Sequence, residues 1–353
     1  MSSQNQHRFR IGLTADFFST DGSVKFKDVG LSLLDEHPRM EYVALKEYHG
    51  QLQESQLNGI NGLITMTVGI TSNSLTSTED LLAIARFGVG YDDIDVDACT
   101  EADVAFLTTP GAVDRSMAEA TITWMLALSH RVRAKDQLVR QGRWDLVPDF
   151  MGCELRDRTF GSVGFGGIAR ATVKLLQGWG MRPPLAYDPY VPPAEIRSYG
   201  VKPVGLNDLM AKADFVSIHC PLNNETRNLI SKSQLHLMKR EAFLINTARG
   251  GIVNEDDLFE ALSNNRIAGA AIDCFVGEPF SEPHRFSQLE NVLLAPHAIG
   301  LTDEIFRDIG SAALRGIVEL ACGRKPMKGV INPEVFERES FQAKWKRLRV
   351  SES

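Results

Sequence analysis

Three polar residues stand where short apolar runs end: Arg249 after "FLINTA", Glu278 in "VGEP" after "AAIDCF", and His297 closing "VLLAP". Taken singly, each has an ordinary explanation. An Arg in "ARGG" can cap a helix, and a Glu before Pro is a common turn. A lone His at a strand end more often hydrogen-bonds locally than handles a proton. Together they suit one reaction, hydride transfer at a 2-oxo acid, in which the carbonyl carbon takes a hydride and its oxygen takes a proton. A planar guanidinium can hold the carboxylate and polarise the carbonyl. A His can deliver the proton near neutral pH, and a carboxylate beside it would orient the ring and favour its charged form. Arg249 is then the substrate anchor, His297 the acid/base, and Glu278 the support of His297.

A hydride needs a carrier, and the chain has a loop suited to a dinucleotide. "TFGSVGFGGIARATVKLL" puts Gly164, Gly166 and Ala169 in a GxGxxA pattern, after a β-like run and before a helix-like one. The first Gly allows a tight turn and the second lets the backbone approach a pyrophosphate. The small third residue lets helix and strand pack closely, with phosphates at the helix N-terminus. Gly164, Gly166, Gly167 and Ile168 are therefore cofactor-binding candidates. Asp188 ends the next strand-like run, "LAYDPY", near the ~20-residue spacing expected of a carboxylate on the ribose hydroxyls. Such a carboxylate repels the extra phosphate of NADP, so NAD is expected and NADP disfavoured. The alternative is an exposed Asp before a Pro turn.

The elements that must position these residues alternate short apolar runs with amphipathic segments, as in βαβ units. In the first part the strand candidates are "RIGLTADF", "EYVALKEY", "GLITMT", "LAIARFGVG" and "VAFLTT". In the second they are "TFGSVGFG", "PPLAYDPY", "DFVSIHCP", "AFLINTA", "IAGAAIDCF" and "NVLLAPH", read as a doubly wound sheet of six parallel strands. Between them, residues 116–144 keep apolar positions three and four apart, which predicts one long helix crossing between domains. A further helical segment after His297 would run back to the first domain. The expected division is 1–112 with 308–353 as a discontinuous substrate domain, and 113–307 as the cofactor domain.

Composition sets outer bounds. The 353 residues suffice for two domains, and 43% hydrophobic and 24% charged content is that of a globular protein. A net charge of −7 gives no basic field for nucleic acid or membranes. The basic stretch "QAKWKRLRVSES" reads as a solvated or partner-facing tail. The five Cys are widely spaced with no CxxC, which argues against disulfides and a zinc site and fits a reducing cytoplasm. "MSSQNQHRFR" has no signal-peptide apolar core, and no run approaches the ~20 apolar residues of a membrane span.

From about residue 80 to 333 the chain resembles the D-isomer-specific 2-hydroxyacid dehydrogenases. "ARFGVGYDDIDVDACTEADVAFLTTPG", "SMAEATITWMLAL", "GSVGFGGIAR", "HCPLNNETRNLI", "LINTARGGIVNEDDLFEAL", "AGAAIDCFVGEP" and "LLAPHAIGLTDE" stand in family order, and the family's Arg, Glu and His fall on Arg249, Glu278 and His297. The resemblance implies two α/β domains with doubly wound parallel sheets, a Rossmann NAD-binding domain and a flavodoxin-like substrate domain, with a cleft between them. It implies backbone amides near Val89 and Gly90 on the substrate carboxylate, and Thr247, Ala248 and Arg249 on the nicotinamide side. Asp273 would meet the carboxamide, and Pro221 and Thr226 would border the adenosine. It also implies a homodimer paired through the cofactor domains, with Trp144 able to reach the partner's active site.

Several departures bear on substrate. "ITMTVGITSN" lacks the Arg-Ser pair that phosphoglycerate dehydrogenases carry, which favours a hydroxypyruvate- or glyoxylate-like acid over 3-phosphoglycerate. Asp114 and Arg115 stand where many members carry neither. Arg115 either adds a second cation to the cleft or faces solvent. A Glu, not a Gln, precedes the His, which disfavours formate, and no regulatory domain is expected after "INPEVF". Loops around Met66, Phe87 and Arg115 would shape the side-chain pocket. The other function carried is an NADH-sensing binding protein or corepressor with little turnover. A structural oligomer with a vestigial site is disfavoured by the intact Arg249, Glu278 and His297.

Overall fold

The computed structural model describes residues 8–47 and 49–350. The first seven residues of the N-terminal stretch, the Tyr48 end of "EYVALKEY" and the last three residues of the basic tail lie outside the described residues. The chain divides into two compact units, Met1–Val113 with Thr302–Ser353, and Asp114–Leu301. The return to the first unit comes at Thr302, earlier than residue 308. Thr302 is the N-cap of the helix that follows, its hydroxyl accepting the Ile305 amide at 3.1 Å, so it belongs with that helix.

In the first unit, β1 (Phe9–Leu13), β2 (Met40–Ala44), β3 (Gly62–Thr65), β4 (Ala83–Arg86) and β5 (Ala105–Leu107) form one parallel sheet in the order β2-β1-β3-β4-β5. The short helix α1 (Val96–Glu101) between β4 and β5 is N-capped by the Asp95 carboxylate. β3 and β5 are buried along their whole length, which is why their sequences are continuous apolar runs rather than alternating ones.

The second unit opens on α2 (Asp114–Ser129) and α3 (Val132–Gln141). The single helix expected over 116–144 is broken. Arg131 takes the left-handed conformation (φ +53°), its Nε donating to the Met151 carbonyl, and Gly142 ends α3 in the same region. Trp144 lies beyond that stop. Apolar spacing persists across the break although α3 buries only Leu138 and leaves Val132 and Val139 exposed, so periodicity alone cannot register it.

Then come β6 (Phe160–Val163), α4 (Gly167–Leu175), β7 (Leu185–Tyr187), α5 (Pro193–Ser198), β8 (Lys202–Pro203), α6 (Leu206–Lys212), β9 (Phe215–Ile218), α7 (Lys232–Leu237), β10 (Phe243–Asn246), α8 (Glu255–Ser263), β11 (Gly269–Ile272) and β12 (Val292–Leu294). The sheet is parallel, with order β12-β11-β10-β9-β6-β7-β8. It has seven strands rather than six. The extra one, β8, is a two-residue edge strand ending in Pro203, with no apolar run to announce it. One apolar cluster gathers α6, α7 and α8 side chains such as Leu209, Leu235 and Leu258. Another gathers α2 and α4, with Met125, Leu128 and Val173. The chain winds from β6 outward to β8, then returns beside β6 as β9, so the strand order reverses there, the place where open parallel sheets bind ligands.

Back in the first unit, α9 (Asp303–Ala321) lays Ile309, Leu314 and Ile317 on the sheet, against β3 and β4. Asn332 then fastens the edge strand: its Oδ1 accepts the Phe106 amide at 2.8 Å and its Nδ2 donates to the Val104 carbonyl at 3.0 Å. The basic tail is a docked helix, α10 (Glu339–Leu348), not a solvated one. Phe341 and Leu348 are buried, and Trp345 donates its indole N–H to the Leu320 carbonyl at 2.6 Å.

The Lys344 amine reaches four backbone carbonyls, those of Thr78, Leu81, Ala102 and Asp103, at 2.9, 3.2, 3.0 and 2.7 Å. Burial pulls this amine down to about 8, with Asp103 and Asp80 opposing the shift. Lys344→Met should destabilise the chain by ~1–3 kcal/mol, because the carbonyls lose their common donor. Thermal unfolding followed by circular dichroism checks this, and an unchanged midpoint would mean that water replaces the amine.

Candidate active site

The phosphate loop is built as its glycines require. Gly164 follows β6 with φ +93°, and a Cβ there would meet the Cys220 amide nitrogen at 2.7 Å and the His219 carbonyl carbon at 2.8 Å. Gly166 is the N-cap of α4 and supplies no side-chain cap, and a Cβ on it would meet nothing within 4 Å. Gly167 and Ile168 are the first two residues of the helix, and Ala169 is fully buried. An uncapped helix N-terminus with open space before it is a seat for a diphosphate, since the first amides lack intrahelical partners and the dipole favours an anion.

Asp188, just after β7, is not a free-standing exposed carboxylate. Its Oδ2 accepts the Phe165 amide at 2.8 Å, and its Oδ1 accepts those of Tyr190 and Val191 at 2.8 and 3.0 Å, so it ties the end of β7 to the phosphate loop. Pro221 and Thr226 share one turn after β9, where the Thr226 hydroxyl donates to the Pro221 carbonyl at 2.6 Å. His219 in the same segment was not singled out by sequence. Burial pushes its imidazole down to about 4, and its Nε2 is a buried nitrogen with no hydrogen-bond partner.

The three strand-end residues come from consecutive neighbours β10, β11 and β12. After β10, the Asn246 side chain folds the backbone: its Oδ1 accepts the Ala248 amide at 3.1 Å and its Nδ2 donates to the Arg249 carbonyl at 2.9 Å. Arg249 is half-buried and donates from Nη1 to the Ala248 carbonyl at 2.8 Å. Thr247 is buried, and its hydroxyl has no partner. Gly250 lets this turn approach the segment after β11, since a Cβ there would stand 2.1 Å from the Phe275 carbonyl carbon.

Glu278 and His297 meet directly, Nδ1 to Oε1 at 2.6 Å. The other carboxylate oxygen, Oε2, accepts the Phe275 amide at 2.9 Å. Burial works against the Glu278 charge. The hydrogen bonds from His297 and the Phe275 amide, with the His297 and Arg249 charges, outweigh it and hold this carboxyl below the usual glutamate value. His297 sits in the left-handed region (φ +53°), unusual for a residue with a Cβ. Asp273 holds it there. Its carbonyl accepts the His297 amide at 2.8 Å, and its buried carboxylate Oδ1 accepts the Ala298 and Ile299 amides at 2.8 and 3.2 Å. Burial raises the Asp273 carboxyl while those amides pull it down. Cys274 lies beneath, its thiol donating to the Ala248 carbonyl at 3.4 Å. Its sulfur, Glu278 and His297 offer donor atoms within 4.8 Å of one another, a set that could hold a metal and that Cys spacing alone did not suggest.

The remaining candidates belong to other segments. Val89 and Gly90 lie in the loop at the carboxyl end of β4, in the first unit, with Val89 exposed. Phe87 is core rather than pocket, its ring against Phe17 and Phe306 at 5.0 and 5.5 Å. Met66 is half-buried and donates its amide to the Thr14 hydroxyl. Arg115 is exposed and pairs with Glu119 one helical turn on.

Residues 122–298 match the model of the D-isomer specific 2-hydroxyacid dehydrogenase NAD binding domain. A glyoxylate reductase of Thermofilum pendens is 35% identical over 285 residues, covering 78% of this chain and 82% of that protein. The chain belongs to this family. A family member named D-3-phosphoglycerate dehydrogenase, from Archaeoglobus fulgidus, is 34% identical over 273 residues, 77% of this chain and 51% of that protein. The chain thus matches about half the length of such phosphoglycerate dehydrogenases. The apo-structure of D-lactate dehydrogenase from Escherichia coli superposes with a TM-score of 0.73 at 26% identity, over 90% of this chain and 98% of that one. No described helix is long and apolar enough to cross a membrane.

Proposed function

We propose that the chain is an NAD-dependent oxidoreductase acting between a small D-2-hydroxy acid and its 2-oxo acid. The observation that carries this is the His297–Glu278 contact at 2.6 Å beside Arg249, at the carboxyl end of a sheet with an open phosphate loop. Bound NADH supplies the hydride. Arg249 holds the substrate carboxylate and polarises the carbonyl. Because Nδ1 of His297 faces a carboxylate, it carries a proton, and Nε2 is the nitrogen left to protonate the carbonyl oxygen. Glu278 stays ionised and steadies the imidazolium before transfer. Asp273 and Thr247 serve the nicotinamide side, and Pro221 and Thr226 the adenosine side.

A hydroxypyruvate- or glyoxylate-like acid is the favoured substrate. The segment "ITMTVGITSN" around the end of β3 has no cation for a phosphorylated one, and a glyoxylate reductase is among the relatives. Asp188 supports NAD over NADP, since a second anion would crowd a carboxylate already placed between two loops. The test is oxidation of NADH, with NADPH in parallel, against glyoxylate, hydroxypyruvate, phosphohydroxypyruvate, pyruvate, and branched and aromatic 2-oxo acids. Glyoxylate or hydroxypyruvate should turn over fastest, and NADPH should be at least about tenfold poorer in kcat/KM. Bound NADH with no turnover across the panel would overturn the proposal.

The chain would pair with itself through α3 and the turn after it, where Val132, Val139, Trp144, Val147 and Met151 are all exposed. Light scattering gives the mass in solution, and a monomer at working concentration would exclude this.

A further inference from the structure

Asp114 opens α2, and its carboxylate lies against the first turn of α4. A Cβ on Gly167 would stand 2.0 Å from its Oδ2 and 2.7 Å from its Oδ1, so a side chain there would have to push the carboxylate aside. The group is half-buried and accepts no hydrogen bond among the described residues. Burial raises its carboxyl, and the Arg170 charge lowers it. That cation is already engaged: Arg170 Nη2 pairs with Glu195 at 2.8 Å, and its Nε donates to the Phe165 carbonyl at 3.0 Å. Next along α2, Arg115 pairs with Glu119. Strands β10 and β11, packed against α2, carry no ionisable side chain. The charge that opposes burial of this carboxylate is Arg170, which it shares with Glu195.

A carboxylate beside an open helix N-terminus is favourable when the seat is otherwise empty of anions, because the helix dipole attracts it. It is unfavourable once a diphosphate takes that seat, since like charges at short range repel most in a partly desolvated site. We propose that Asp114 is the chain's own anion at the diphosphate seat and weakens binding of the phosphate-bearing part of the dinucleotide. This rests on the assignment of the α4 N-terminus to that diphosphate. A loop with a neutral residue at this position would hold the cofactor longer, and Asp114 would speed its release.

The experiment compares Kd values of NADH, ADP-ribose and adenosine for the parent chain, Asp114→Asn and Asp114→Ser, by fluorescence or calorimetric titration. Both variants should bind NADH and ADP-ribose about tenfold more tightly, with adenosine unchanged. Unchanged or weaker binding of the two phosphate ligands overturns the proposal. An equal change for adenosine does so too, because a merely structural effect of the substitution would not tell the ligands apart. Two neutral replacements of different shape guard against a packing defect in either. If the parent chain binds none of the three, the diphosphate assignment itself fails, and the proposal with it.

Discussion

A His297→Ala chain should lose between about a hundredfold and ten-thousandfold in turnover with 2-oxo acids, the range a positioned general acid supplies, while binding NADH as tightly as the parent. The expectation follows from how little else could give the proton. His297 is bonded to the half-buried Glu278 carboxylate, and it is pinned in a left-handed turn by the Asp273 carbonyl and the amides that follow it. Glu278 adds a pH signature. Its carboxyl lies below the usual glutamate value, so it takes up a proton only at a pH lower than a free glutamate would. The acid limb of the parent's rate profile should thus not begin at ordinary glutamate pH. Glu278→Gln should slow turnover and abolish any contribution of carboxylate titration. Single-turnover rates with matched NADH saturation are the measurement. Normal turnover in His297→Ala would mean the proton comes from water or another group, and the histidine would revert to a local turn residue.

Arg249→Ala should cost about 3–4 kcal/mol of transition-state stabilisation, near a hundredfold to a thousandfold in kcat/KM, as for a lost donor to a developing oxyanion. Arg249→Lys should recover only part of this. A lysine keeps the charge but loses the planar fork that grips a carboxylate with two hydrogen bonds. The local design points the same way: the Asn246 side chain fixes the backbone on both sides of Ala248, and Arg249 is braced on the Ala248 carbonyl. Kinetics with added guanidinium offer a second readout, since rescue of Arg249→Ala would place the loss in the missing cation. Equal kcat/KM for parent and Arg249→Ala would exclude the anchoring role.

Much of this was legible in the sequence because function sits at strand ends. Apolar runs closing on Arg249, Glu278 and His297 were visible as residues, and parallel strands buried on both faces are the easiest elements to find. What stayed hidden depends on contacts rather than pattern. Asp273 looks like any acidic residue ending an apolar run, and its part as the latch of the His297 turn exists only in the fold. The two residues of β8 had no apolar signature. The helix break at Arg131 is a single backbone rotation that leaves the apolar spacing intact. Lys344 reads as one more surface cation, yet it is held by four carbonyls from two segments. Asp114 was noticed as a departure, but its contact with Gly167 joins residues far apart in the chain.

The discontinuity of the first unit sets an order on the ribosome. Its five strands are all translated before the second unit begins, but Asn332, α9 and α10, which fasten and cover them, come only after residue 301. At about 5–20 residues per second, the early sheet waits for tens of seconds with its α9 face exposed, while the intervening unit has all its own strands and can fold first. A ribosome paused just after residue 301 has cleared its exit tunnel should therefore present a protease-resistant second unit joined to a protease-sensitive N-terminal segment. The chain would be most open to aggregation, and most in need of a chaperone, in that interval.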